Sequence, residues 1–168
     1  MALGEPSLSS MDFSGTIFVD TDTDDDFVGF VFSFQDSSNF YVVYSAKHNR
    51  PGGQGIRPWR ITRVSSKTGP STELRSALWA AESVEGQTDI LWQDPENRGW
   101  KSKVPYQFFL QHRPINGTIR LKIFEGPTEL FDTGNLVSNG LAGGRVGVFC
   151  DSQEKEIWSS MSYQCKQE

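Results

Sequence analysis

Phe27-Val-Gly-Phe-Val-Phe-Ser-Phe34, then the turn Asp36-Ser-Ser-Asn39, then Phe40-Tyr-Val-Val-Tyr44: this stretch decides the fold. Both runs are built from aromatic and β-branched residues, which pack well on a pleated sheet and lose rotamer freedom in a helix. The turn residues between them reverse the chain, so two strands are expected.

Working outward, the same alternation of short β-rich runs and turn residues continues. Ile17–Val19, Trp59–Ser65, Asp89–Trp92, Tyr106–His112, Thr118–Phe124, Leu130–Asp132, Arg145–Cys150 and Ile157–Tyr163 read as further strands. Pro51-Gly-Gly53, Gly69-Pro70, Asn97-Arg-Gly99 and Gly143-Gly144 mark turns, and Asn116-Gly117 predicts a type I′ hairpin. One segment, Ser71–Glu82, reads as a helix: Ser71 or Thr72 can cap it, and Leu74, Ala77 and Leu78 form an apolar stripe. Many brief strands with one short helix predict an all-β, jelly-roll β-sandwich. Residues 1–14, polar and small at their start, read as a flexible leader to a single sandwich domain over 15–168.

Composition bounds the function. The chain has 168 residues with 12 Phe and 5 Trp, enough apolar surface to form a core, which argues against disorder. Twenty-one acidic against 16 basic side chains give a net charge of −5. Asp20, Asp22, Asp24, Asp25 and Asp26 equal that whole excess, and no basic stripe points to nucleic acid. The apolar runs are too short to span a membrane as helices. Residues 1–12 carry neither a charged start nor an apolar core of a secretory signal. The chain is therefore read either as cytosolic or as a mature or excised piece of a longer secreted protein.

Asp20-Thr-Asp-Thr-Asp-Asp-Asp26 carries the chemistry. Two carboxylates about 4 Å apart repel by roughly 1 kcal/mol in water and by several times that at a low-dielectric surface. A bound cation would remove that repulsion, and Ca2+, a hard ion with six to eight oxygen ligands in flexible geometry, suits the donors. The period-2 spacing is not an EF-hand: Asp25 stands where that loop needs Gly, and Val31 where it needs a bidentate Glu. The alternative is a solvated acidic turn.

Asp24-Asp-Asp-Phe-Val-Gly-Phe-Val-Phe32 with Asn39-Phe-Tyr-Val-Val43 resembles the opening of the thrombospondin C-terminal domain. The resemblance continues in order through Thr68-Gly-Pro70, Leu74-Arg-Ser-Ala-Leu-Trp79, Leu91-Trp-Gln-Asp-Pro95, Gly99-Trp-Lys101, His112-Arg-Pro114 and Ala142-Gly-Gly-Arg-Val-Gly-Val-Phe149. Ser152-Gln153 and Tyr163-Gln-Cys165 complete it, so it spans roughly 15–165. It implies an L-type lectin-like (concanavalin-like) sandwich that binds calcium in secreted matrix glycoproteins, with Asp24, Asp25 and Asp26 as the ligands carried over most directly. Phe40–Val43 and Ile119–Ile123 match family stretches implicated in contacts to an integrin-associated receptor, although their apolar patterning reads as core strand.

Cys165 matches a family cysteine that bridges to an upstream element. A hairpin between Arg145–Cys150 and Ile157–Tyr163 would set Cys150 against residue 157 rather than Cys165, favouring two free thiols over an internal bridge. Asn116 begins an Asn-Gly-Thr glycosylation acceptor. Trp59, flanked by Arg57 and Arg60 near a Gly-rich turn, is the candidate exposed ligand surface.

The expected function is an extracellular, calcium-binding, non-catalytic adhesion or matrix module. Its expected partners are matrix proteins, cell-surface receptors or glycans, without nucleic acid or membrane insertion; oligomerisation is not evident. A calcium-dependent lectin is the alternative. A jelly-roll glycoside hydrolase using Glu154 and Glu156 is a remote one.

Overall fold

The computed structural model describes residues 1–4, 9–49, 55 and 57–166; the predicted Pro51-Gly-Gly53 turn lies outside them. Phe27–Asp36 forms one strand (β3), and Phe27 through Phe34 are buried without interruption. Such a run requires cover on both faces. One face of β3 carries Val28, Phe30 and Phe32 into a core between two sheets. The other carries Phe27, Val31 and Phe34 into a second core.

A bulge explains why Phe32 and Phe34, two residues apart, lie in different cores. Ser33 has φ 47°, and the register with the neighbouring strand β4 (Asn39–Ser45) shifts between Phe32 and Asp36. An extra residue at a bulge turns the following side chain to the opposite face. Gly29 serves another close approach: a Cβ there would strike the Val43 carbonyl of β4.

The remaining strands are β1 (Ala2–Leu3), β2 (Met11–Val19), β5 (Arg60–Ser65), β6 (Thr88–Gln93), β7 (Tyr106–Arg113), β8 (Thr118–Glu125), β9 (Thr128–Asp132), β10 (Leu136–Val137), β11 (Arg145–Asp151) and β12 (Glu156–Cys165). One antiparallel sheet runs β1-β11-β3-β4-β5-β6; the other runs β10-β8-β7-β2-β12, with β9 also pairing β8. Between them, Phe13, Phe30 and Phe108 stack and abut as ring pairs 3.9–5.6 Å apart. The all-β sandwich expectation is met.

The helix α1 (Thr72–Trp79) covers the outer face of the first sheet. Ser71 caps it, its Oγ accepting the Leu74 N–H at 3.2 Å, and Leu74, Ala77 and Leu78 are the buried stripe. It ends earlier than the predicted Glu82, because Ala80 turns to an extended conformation with ψ 150°.

Three expectations are corrected. Residues 1–14 are not simply a leader: Ala2 and Leu3 pair with β11, and β2 begins at Met11 between β7 and β12. Met11, Phe13, Ile17 and Val19 point into the core while Asp12, Ser14 and Thr16 face outward, the period-2 pattern of a half-buried strand. Asn116-Gly117 is part of a longer β7–β8 connection: Pro114–Asn116 make a 3-10 turn and only Gly117 takes positive φ, at 68°. Finally, β11 and β12 are no hairpin; they lie in different sheets. Cys150 sits opposite Val28 and Cys165 opposite Met11, and both are free thiols.

The stretches Phe40–Val43 and Ile119–Ile123 are core strands, with Phe40, Tyr41, Val42, Val43, Ile119, Leu121 and Ile123 buried. Arg120 and Lys122 turn outward to pair with Asp132 at 2.5 and 3.2 Å.

Candidate metal centre

The acidic stretch is the crossover from β2 to β3, which carries the chain from one sheet to the other. At β11–β12 the chain crosses back through residues 152–155, with Ser152 and Lys155 at positive φ (66° and 55°). The two crossovers are stapled side by side. Asp20 N–H donates to Lys155 O (2.9 Å), Glu154 N–H donates to Asp24 Oδ2 (2.6 Å), and Phe27 bridges Ser152. Thr21 Oγ1 adds a longer bond to Glu154 Oε1 at 3.5 Å.

The main chain of the acidic loop is held from the other side. Lys47 N–H donates to Asp25 O (3.1 Å) and Trp100 Nε1–H to Asp26 O (3.0 Å). Within the loop, Asp24 Oδ1 accepts the Asp25 N–H at 3.0 Å. The Asp24, Asp25 and Asp26 side chains are half-buried, and one carboxylate oxygen of each lies within 4.8 Å of the other two. Three hard oxygen donors gathered on a braced loop fit a divalent cation of flexible coordination.

Asp20 and Asp22 do not join this group. Asp20 is exposed. Asp22 turns to Lys103, whose Nζ lies 2.7 Å from Oδ2, and that hydrogen bond holds the Asp22 carboxyl below the usual range. Lys47 Nζ also donates to the Asp22 main-chain oxygen at 2.9 Å. No sequence spacing links Asp22 to Lys103.

Sequence reasoning missed Gln153 as a site residue, noting it only within the Ser152-Gln153 motif. It is 7% exposed. Its amide folds back so that Nε2 donates to Glu154 O (2.9 Å), leaving Oε1 buried without a hydrogen-bond partner.

The Arg57–Trp59–Arg60 expectation is overturned. Trp59 is fully buried, its ring 5.5 Å from Tyr106, its main-chain N–H donating to Arg98 O and its carbonyl accepting the Asp94 N–H, each at 2.9 Å. Arg60, 1% exposed, donates to Leu78 O and Ala80 O (2.9 and 2.8 Å) and lies 4.7 Å over the Tyr44 ring. Arg57 Nε donates to Trp79 O at 2.8 Å. The last turn of α1 has no basic residue of its own. Arg57 and Arg60 therefore serve its terminal carbonyls, the negative end of the helix dipole. Asn116 lies exposed, its Oδ1 accepting the Thr118 N–H at 3.0 Å.

Sheet order and core together define a lectin-like jelly-roll sandwich, here with an acidic rim where two crossovers meet. The thrombospondin C-terminal region model matches residues 1–167, and the chain belongs to that family. Thrombospondin-3b of Danio rerio is 43% identical over 98% of this chain and 18% of its own length. Cartilage oligomeric matrix protein of Homo sapiens is 43% identical over 98% of this chain and 23% of its own. The chain thus spans about a fifth of these relatives' lengths. Among solved structures, the carbohydrate-binding module CBM66 from Bacillus subtilis superposes with a TM-score of 0.61 at 11% identity, covering 96% of this chain and 79% of that one. Sheep galectin-11, in complex with glycerol, gives 0.52 at 6% identity, covering 97% and 96%. At such identities these two show the shared fold alone. Among the described residues, no helix is long and apolar enough to cross a membrane.

Proposed function

We propose that this domain is an extracellular, non-catalytic binding module whose acidic rim holds Ca2+, and that the ion orders the rim for contact with matrix or cell-surface partners. The observation carrying this reading is the convergence of Asp24, Asp25 and Asp26 oxygens within 4.8 Å. Like charges so close repel, and a cation among them would offset that repulsion. The matrix role is supported by relatives such as cartilage oligomeric matrix protein. The same kinship supports secretion of the natural protein.

The ion would supply charge neutralisation and would link the main-chain staples of the two crossovers through their side chains. Asp24 already receives the Glu154 N–H, so an ion held by Asp24 also tightens the return crossover. The lectin alternative loses the surface assigned to it, since Trp59 and Arg60 are buried.

Thermal melts in millimolar calcium and in excess chelator test the proposal. A ligand present at 100 times its Kd stabilises by about 2.7 kcal/mol. For a chain of this size that is a rise of roughly 5–10 °C in Tm. Coincident melts would overturn the calcium reading.

A further inference from the structure

We infer that Gln153 contributes its side-chain oxygen, Oε1, as a neutral ligand to the cation held by Asp24, Asp25 and Asp26, so that the β11–β12 crossover completes a site the acidic loop begins. The inference rests on the calcium reading above and adds to it a residue outside the acidic sequence.

Position comes first. The staples run in order along the two crossovers: Asp20 to Lys155, Asp24 to Glu154, Phe27 to Ser152. Gln153 falls between the last two, flanked by Glu154, whose N–H is 2.6 Å from Asp24 Oδ2, and by Ser152, which bridges Phe27 next to Asp26. Burial comes second. A polar side chain 7% exposed ordinarily satisfies each of its hydrogen-bonding atoms, yet Oε1 has no partner among the described residues. Exchanging the amide's oxygen and nitrogen does not help. It would set Oε1 against the Glu154 carbonyl that Nε2 now engages, acceptor against acceptor. The neighbouring carboxylates are acceptors as well, and none can satisfy a carbonyl oxygen. A cation can.

The chemistry agrees. Side-chain amide oxygens are ordinary ligands of calcium, which needs more oxygens than three monodentate carboxylates provide. A neutral ligand adds coordination without adding to the repulsion among three negative charges. A buried water bridging Oε1 to the loop is the competing account, and affinity separates the two.

The experiment is calorimetric calcium titration of the full chain as wild type, Gln153→Leu and Gln153→Glu. Loss of a direct ligand is expected to weaken calcium binding on the order of tenfold or more in Gln153→Leu. A fourth carboxylate at the ion is expected to shift the affinity of Gln153→Glu several-fold. Wild-type affinity in Gln153→Leu overturns the role of Gln153 while leaving calcium binding intact. Should Gln153→Leu not fold, unchanged affinity in Gln153→Glu overturns it equally. A wild-type chain that takes up no calcium removes the calcium reading itself, and this inference with it.

Discussion

Two segments of this chain gather like charges beside a strand, and they end in opposite circumstances. At Asp24–Asp26 three carboxylates converge on a half-buried rim, where Asp24 accepts the main-chain N–H groups of Asp25 and Glu154. Around Trp59, the cations of Arg57 and Arg60 point into the protein and find the carbonyls of Leu78, Trp79 and Ala80. Charge density was the same kind of signal in both. What separates them is where the charged groups point, apart toward helix carbonyls in one case and toward one another in the other. The C-terminal end of a helix whose last turn lacks a basic residue answers the arginines, while the three aspartates bring their oxygens within 4.8 Å of one another.

The contrast is broken most severely by Arg60→Ala. The substitution opens a cavity beside Tyr44 and strips two carbonyls of their charged donor. A loss of about 3 kcal/mol in unfolding free energy is expected, with Tm lower by roughly 6–12 °C. The calcium-induced rise in Tm should survive, because the hydrogen bonds of Arg60 go to Leu78 O and Ala80 O at the helix end and not to the aspartates. Urea denaturation with and without calcium checks both halves, and loss of the calcium response would merge two regions the structure keeps apart.

Acid sharpens the contrast at a third place. His112 is fully buried, its Nδ1 2.9 Å from Ser33 Oγ, and burial lowers its pKa to about 4, with the Arg113 charge adding to the shift. The folded value lies below the unfolded one of about 6.5, so the neutral ring favours folding. Its contribution is complete above pH 6.5, falls as pH drops toward 4, and is constant below that. About 3 kcal/mol should be lost across this window in chelator. His112→Asn should flatten the slope. A pH profile that is already flat in the wild-type protein contradicts the burial argument.

How much of this was legible beforehand depended on the range of the interaction involved. The β3–β4 pair was readable because Phe27–Phe34 and Phe40–Tyr44 need only local preference to become strands. The stripe of α1 was readable for the same reason. The first part of β2, before Ile17, was hidden: Gly15 interrupts its apolar alternation, and Met11 and Phe13 stand among small polar residues. The burial of Trp59 depends on Asp94, Arg98 and Tyr106, more than 30 positions away, so its Gly-rich surroundings pointed the wrong way. The aspartate trio was legible because its three members are adjacent. Gln153 was not, since a glutamine in a polar turn gains meaning only once the two crossovers lie together.

Asp26→Asn tests the rim from within and is expected to act with opposite signs in two buffers. In chelator it relieves repulsion, raising stability by about 1 kcal/mol. In calcium the same change removes a ligand charge and shrinks the ion-induced rise in Tm. Two melts settle it. A variant less stable in chelator would show that Asp26 serves the fold through its existing contacts rather than through an ion.

The smallest expected effect belongs to Asp22→Asn, and it is informative for that reason. Asp22 is two residues from Asp24, closer in sequence than many paired ligands, so a reading based on spacing alone predicts a marked fall in calcium affinity. The structure gives Asp22 a counter-charge, Lys103, at an exposed site where an ion pair adds little to stability. Calcium affinity in Asp22→Asn should match wild type within the error of a titration, and the chelator melts should coincide. A fall comparable to that of Asp26→Asn would mean that calcium draws Asp22 away from Lys103. The rim would then extend along the whole acidic loop, beyond the three carboxylates that converge in the structure.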